Sequence, residues 1–356
     1  MRNLDSHKLL HHLDRVVEWQ HGNRIPPITM DIALTRACNY KCVYCYGQLQ
    51  ENEAKPIDWK VIKRFLHDAR DIGVKAISLV SDGESTCSPH YINTIVYGKS
   101  LGLDMALGTN GYLLDRRALG KVLTYLTYLR FNISGATPES YAKWHGVEEK
   151  AYAQVIGNIH AAVDIKRAFD LPVTIGLQMV FMPDMVDEII PLAKLGKRLG
   201  VDYLVIKHCS DDELHTLGIN YEEYSNYKII RTLKDAEGMS DDKYQVSVKW
   251  SKILSGGQRS YSRCYGAQFI MQLSGSGLVA PCGMLFNEKY KKYHIGNIVD
   301  TSFKELFYSD RYMEVMKLLA SDQFDAKTMC GSLCLQHKCN EFLNELIDKP
   351  DHINFV

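Results

Sequence analysis

Three cysteines, Cys38, Cys42 and Cys45, stand in a C-x3-C-x2-C spacing just after the strand-like run Ile28 to Thr35. A loop with this spacing can wrap three thiolates around three corners of a cubane iron–sulfur cluster. Full cysteine ligation takes a fourth thiolate, so one iron is left free to bind something else. A zinc knuckle pairs its ligands as C-x2-C with a second pair nearby, whereas the next cysteine after Cys45 is Cys87. Five more lie late in the chain, Cys264, Cys282, Cys330, Cys334 and Cys339, in the spacing C-x17-C, a gap of 47, then C-x3-C-x4-C. Four thiolates suffice for one fully ligated cluster, and five fall short of what two require. A structural zinc ribbon is the alternative, disfavoured by the long gaps. Lys207, His208 and Cys209 place three reactive side chains at the end of another apolar run, which makes them catalytic candidates.

Elements that could position these groups follow one another regularly. Strand candidates are Ile28 to Thr35, Ala76 to Ser81, Asp104 to Asn110, Tyr128 to Ser134, Val173 to Met182 and Tyr203 to Cys209. Helical stretches alternate with them, among them Asp58 to Gly73, Leu114 to Tyr125, Glu148 to Phe169 and Met185 to Gly200. Such alternation predicts parallel strands with crossover helices, in too few units for a closed eight-stranded barrel. Chemistry then belongs at the C-terminal strand ends. The glycine-rich run from Ser274 to Cys282 predicts a β-hairpin delivering a cysteine, and His294 to Ile298 precedes a helix. The expected division is a helical extension over 1–27, a barrel over 28–250 and a cluster domain over 251–356.

The cysteine spacing, with aromatic Tyr44 before the third cysteine, resembles the signature of the radical S-adenosylmethionine (SAM) superfamily. The resemblance implies an open six-unit (β/α)6 partial TIM barrel and a 4Fe-4S cluster whose open iron chelates SAM. Electron transfer then splits SAM to a 5'-deoxyadenosyl radical. Asp82-Gly83-Glu84-Ser85 resembles the family's Gly-Gly-Glu-Pro element, departing from it at Asp82 and Ser85. Gly83 would let backbone approach the ligand, and Glu84 would accept from the SAM amine. Thr109-Asn110-Gly111 resembles the element that lines the SAM site. Ser134 is implied as a ribose contact, with Asn132 beside it, and Gln178 interrupts an apolar run and is placed in the lumen. The late cysteines resemble a SPASM or twitch extension with one auxiliary 4Fe-4S cluster. Its firmest ligands are Cys264, Cys282 and Cys330, with the fourth open between Cys334 and Cys339.

Composition sets outer limits. The chain has 356 residues, 46% hydrophobic and 24% charged, and its 42 basic residues balance 42 acidic ones, so no bulk field points to nucleic acid or a membrane surface. Met1 to Trp19 mixes charges with leucines and valines and reads as neither signal peptide nor membrane span. Ten cysteines without a secretion signal suit a reduced compartment, the cytoplasm.

The reaction implied is hydrogen-atom abstraction, fed by a flavodoxin or ferredoxin-type reductant. Too few residues precede the first strand for a separate peptide-binding domain, so the expected substrate is a small polyol, sugar or aminocyclitol, oxidised with help from the auxiliary cluster. Epimerisation with Cys209 as hydrogen donor is the alternative, as is oxidation of a peptide or protein side chain. For Cys209 itself, packing as a small buried hydrophobe is the preferred reading. A non-catalytic iron–sulfur protein is the competing class, and the survival of Glu84, the Thr-Asn-Gly run and Ser134 argues against it.

Overall fold

The computed structural model describes residues 5–52, 55, 57–332, 334–349 and 351–354. One sheet of ten strands runs through it: β1 (Thr29–Ile32), β2 (Ala76–Leu79), β3 (Asp104–Thr109), β4 (Leu126–Asn132), β5 (Thr174–Phe181), β6 (Tyr203–His208), β7 (Gln245–Val248), β8 (Ile270–Leu273), β9 (Leu278–Ala280) and β10 (Gly296–Asn297). The spatial order is β10-β9-β8-β1-β2-β3-β4-β5-β6-β7, and the sheet does not close. β1 to β7 are parallel neighbours in chain order, the six expected strand–helix units plus a seventh strand. β7 escapes sequence reading because it is a four-residue strand with no long apolar run.

The C-terminal hairpin joins the same sheet. β8 pairs parallel with β1, Thr29 opposite Ile270, and antiparallel with β9. The sheet therefore crosses the boundary expected at 250–251.

Local chemistry explains the helices. In Trp59–Ile72 the Asp58 side chain accepts from the Val61 N–H, and Gly73 ends the helix at φ 102. Ile62, Phe65, Leu66, Ala69 and Ile72 then form its buried stripe. Along the strands, Met30, Ile77, Leu107, Leu129, Leu177 and Ile206 face the helices with no exposure, while the alternate residues turn to the concave side. A second apolar cluster joins the N-terminal helix to the C-terminal one through Trp19, Phe269 and Leu343. No helix among the described residues is long and apolar enough to cross a membrane.

Candidate iron–sulfur and SAM site

β1 stops at Ile32, earlier than the sequence suggests, because the chain leaves the sheet to form the cysteine loop. Two glycines hold its exit. A Cβ on Gly83, whose φ is 150, would lie 2.1 Å from the Thr35 carbonyl oxygen, and one on Gly275 would lie 2.1 Å from the Thr35 carbonyl carbon. The Glu84 N–H donates to the Ala37 carbonyl at 3.0 Å. On the far side the N–H groups of Lys41 and Val43 donate to the carbonyls of His145 (3.2 Å) and Trp144 (3.1 Å). Gly146 permits this approach, since a Cβ there would meet the Lys41 carbonyl at 2.3 Å.

Cys38, Cys42 and Cys45 are free thiols on this loop, Cys38 exposed and the others half-buried. Burial pushes Cys38 up to about 11 and Cys42 up to about 12, a state a bound metal reverses by taking the thiolate. Among the described residues, no three His, Cys, Asp or Glu side chains gather to hold a single ion. Thiolates at separate corners of a cubane need not converge on one point.

Glu84 closes the rim of the site. Its Oε1 accepts from the Thr86 N–H (3.0 Å), the Thr86 hydroxyl (2.7 Å) and the Thr109 hydroxyl (2.9 Å), and its Oε2 from the Asn110 N–H (2.7 Å). The carboxylate thus ties the end of β2 to the end of β3, and Asn110 in turn donates to Asn39 on the cysteine loop at 2.8 Å. Asp82, the departure from the family pattern, accepts from the Ser274 hydroxyl and from the Gly275 N–H at 2.9 Å, with Arg36 Nε at 3.7 Å. An acid stands there because it fastens the C-terminal hairpin to the cysteine loop. Burial raises it to about 6.

His145 is a site residue to which sequence reading assigned no role. It is fully buried and stacked on Tyr141 at 4.2 Å, and burial lowers it to about 3, so its ring is neutral. Its Nε2 accepts from the Ser134 N–H at 3.0 Å, which leaves the proton on Nδ1, 3.4 Å from Cys42 Sγ and 3.2 Å from the Tyr44 hydroxyl. Only the fold brings it there, 103 residues from Cys42.

The remaining expected residues lie on β4, β5 and β6 or just past their ends. The Ser134 hydroxyl donates to the Val180 carbonyl (3.1 Å) and accepts from the Val180 N–H (3.2 Å), so it ties the chain just past β4 to β5. Gln178 and Asn132 do share the concave face, paired across β4 and β5 with Gln178 Nε2 donating to Asn132 Oδ1 at 3.0 Å. His208 points the other way, against Tyr221 and Tyr224 and beside the apolar face, with burial lowering it to about 3. Lys207 faces the concave side. Cys209 is fully buried, its Sγ turned to the carbonyls of Tyr44 (3.7 Å) and Ser210 (3.6 Å).

The late cysteines separate into two groups. The Cys282 thiol is raised by burial and then by Cys334, Cys330 and Cys264, so these four lie together. Arg259 caps the segment between them, donating to the carbonyls of Ala326 (2.7 Å) and Ser332 (2.6 Å). Gln336 and Asn340 lie 3.4 and 3.5 Å from Cys264 Sγ. Cys339 instead packs with Trp19, Phe269 and Leu343, and Cys334 is the only one of the group it feels. A cavity of about 890 Å³ lined by Tyr261, Arg263, Asp322 and Glu341 lies in this part of the chain, with no residue of the cysteine loop in its lining.

The sequence model of the Radical SAM superfamily matches residues 32–196, and that of the SPASM iron-sulfur cluster-binding domain matches residues 264–340. The chain belongs to the radical SAM superfamily and carries a SPASM domain. Membership brings SAM, a 4Fe-4S cluster and auxiliary iron–sulfur ligation, and the grouped free thiols fit that complement. The chain is 26% identical over 326 residues to an AdoMet-dependent heme synthase of Methanosarcina barkeri, covering 84% of this chain and 86% of that protein. It is 24% identical over 219 residues to a probable GTP 3',8-cyclase of Saccharolobus islandicus, covering 61% of this chain and 67% of that one. In fold it is similar to Streptococcus suis SuiB bound to S-adenosylmethionine, with TM-score 0.65 and 15% identity over 87% of this chain and 72% of that one. It is likewise similar to anSMEcpe with bound AdoMet, with TM-score 0.60 and 18% identity over 83% and 84%.

Proposed function

We propose that the protein is a radical SAM oxidoreductase that takes a hydrogen atom from a substrate carbon and completes a two-electron oxidation. The observation that carries this reading is the closeness of the two thiol sets. Cys45 ends the first, and Tyr46, the next residue, donates to the Gly283 carbonyl beside Cys282 of the second at 3.1 Å. When bound, the clusters and SAM supply one-electron chemistry: a carbon radical able to abstract hydrogen, and a sink for the electron that oxidation releases.

Cys38, Cys42 and Cys45 would hold the first cluster and leave one iron for SAM. Cys264, Cys282, Cys330 and Cys334 would hold a single fully ligated auxiliary cluster, with Cys339 left to its core. Gly83 admits the loop to the strand ends, and Glu84 with Thr109 and Asn110 fixes the rim on which the SAM methionine would rest. Tyr40, Tyr44, Tyr141 and Trp144, all buried, wall one side with aromatic surface and keep water from it. A flavodoxin or ferredoxin-type protein is the expected electron source.

The polyol or sugar expected from the sequence is set aside. The relatives' names speak of heme and GTP, and the similar structures include SuiB with its precursor peptide SuiA and anSMEcpe with Kp18Cys peptide. Epimerisation would ask Cys209 for a hydrogen atom, and its buried thiol supports oxidation instead. Anaerobically reconstituted, reduced protein should hold about eight irons and convert SAM to 5'-deoxyadenosine. About four irons, or no SAM cleavage by iron-replete protein, would sink the reading.

A further inference from the structure

The concave face of the sheet carries an excess of cations that have no ion pair or side-chain hydrogen bond among the described residues. Strand alternation puts Arg130 and Asn132 of β4, Lys207 of β6 and Lys249, which follows β7, on this face. Arg130 sits opposite Gly108 and Gly176, and Lys207 opposite Val180. The Lys249 N–H donates to the Ile206 carbonyl at 2.8 Å, which sets Lys249 beside Lys207. Arg130 buries an Nε that finds no acceptor, and its guanidinium lies 5.9 Å from the Tyr128 ring. Neither lysine ammonium is ion-paired or hydrogen-bonded among the described residues. Each of the three is half-buried, so solvent reaches it inside the fold.

These cations act on one another. Burial comes first, then Lys252, Arg130 and Lys249, in lowering Lys207 to about 7, and burial with Lys252 and Arg130 lowers Lys249 to about 8. Two acids stand against them. Asp31 of β1 shares the concave face and is itself raised to about 6 by burial. Asp5 is held by the Ser251 N–H (3.0 Å) and hydroxyl (2.7 Å). Lys252 and Arg259 belong elsewhere, since Lys252 donates to the Cys334 carbonyl at 2.8 Å and Arg259 caps the late-cysteine segment. Unpaired like charges crowded in a cavity destabilise a fold unless something of opposite charge completes them. The same strand face runs from Lys207 to Cys209, whose thiol meets the Tyr44 carbonyl next to Cys45. The cationic face thus lies on the side of the sheet that reaches the cysteine loop through Cys209.

We propose that Arg130, Lys207 and Lys249 form an oxyanion site, and that the substrate carries a carboxylate or a phosphate that docks there. The proposal rests on the radical SAM reading for the place of the chemistry but not for the site. A neutral polyol leaves these charges uncompensated, which is why an anionic substrate replaces it.

The test is calorimetric titration of glutarate and of inorganic phosphate into anaerobically reconstituted holoprotein with SAM. Wild type should bind one of them. Arg130→Gln and Lys207→Met should each weaken it by about tenfold or more, and exposed Lys99→Met should not. Lys207→Met should also melt above wild type, because it removes a like charge. Binding of glutarate alone assigns a carboxylate, and binding of phosphate alone a phosphate. If neither binds, or both variants bind as wild type does, the cations only offset the clusters' own negative charge and the proposal is overturned. A variant melting below wild type marks its cation as structural and overturns the proposal equally. Formation of 5'-deoxyadenosine by wild type is scored separately: its absence alongside intact anion binding defeats the radical reading and spares the site.

Discussion

Asp82→Asn tests whether burial or partnership governs the acid that fastens the C-terminal hairpin. The Asp82 carboxyl is 6% exposed and raised from 3.8 to about 6, with burial outweighing Ser274, Gly275 and Arg36. A folded-state value above the unfolded one means stability that is complete below pH 3.8 and is lost as pH rises through 6. At about 1.4 kcal/mol per pKa unit the whole loss is about 3 kcal/mol, of which about 1.4 kcal/mol falls between pH 5 and 7.5. Asparagine keeps one acceptor and carries no charge, so its effect, a lost hydrogen bond of about 1 kcal/mol, does not titrate. Urea melts of anaerobic holoprotein at several pH values, differenced between wild type and variant, isolate this one group. Wild type should gain on the variant by about 1.4 kcal/mol from pH 7.5 to 5. A flat difference, or a wild type that loses ground on acidification, would show that the hydrogen bonds and Arg36 hold the carboxylate ionised, and the argument from burial would fail.

Single replacement of Cys38, Cys42 or Cys45 by Ala should abolish 5'-deoxyadenosine formation while circular dichroism stays native; near-native turnover by any one removes it from the ligand set. Cys334→Ala should roughly halve the iron content whereas Cys339→Ala should keep it, and the reverse pattern exchanges their roles. Gly83→Ala forces a Cβ to 2.1 Å from the Thr35 oxygen, so SAM cleavage should collapse along with about 2 kcal/mol of stability; an active, stable variant would deny the close approach. Cys209→Ala should leave product formation and stereochemistry unchanged in an oxidase, and product inverted with solvent deuterium in the native enzyme would point to epimerisation.

The places of the cysteine loop, Glu84 and the Thr109-Asn110 pair in the fold were legible because each lies within a few residues of a strand end, where local pattern and position agree. What sequence could not supply is long-range. Asp82 looks like a defect in a motif until Ser274, 192 residues on, is seen to donate to it. His145 closes a helix and gives no local sign that it will meet Cys42. Ser134 falls two residues past the end of β4 instead of on it, and its hydroxyl is engaged by the backbone of β5. Cys334 and Cys339 are indistinguishable by spacing, and only the docking of the N-terminal helix takes Cys339 away. The cations of the concave face were hidden for another reason: Arg130, Lys207 and Lys249 sit on three different strands or their ends, and nothing in the neighbourhood of any one shows the others.

The pairing of β8 with β1 joins Thr29 to Ile270, and it has a consequence for how the protein is made. During synthesis β1 can pair with β2 early, but its other edge stays open until β8, which begins at Ile270, has been made. An open edge strand is a template for wrong partners, and contacts this distant in sequence form late. The cysteine loop leaves from that same strand and rests on Gly275 just past β8, so its floor is absent for most of translation. Iron arriving early would meet thiols on a loop with one wall missing. The seat of the cysteine loop is thereby complete only once β8 and Gly275 have been laid beside the first strand.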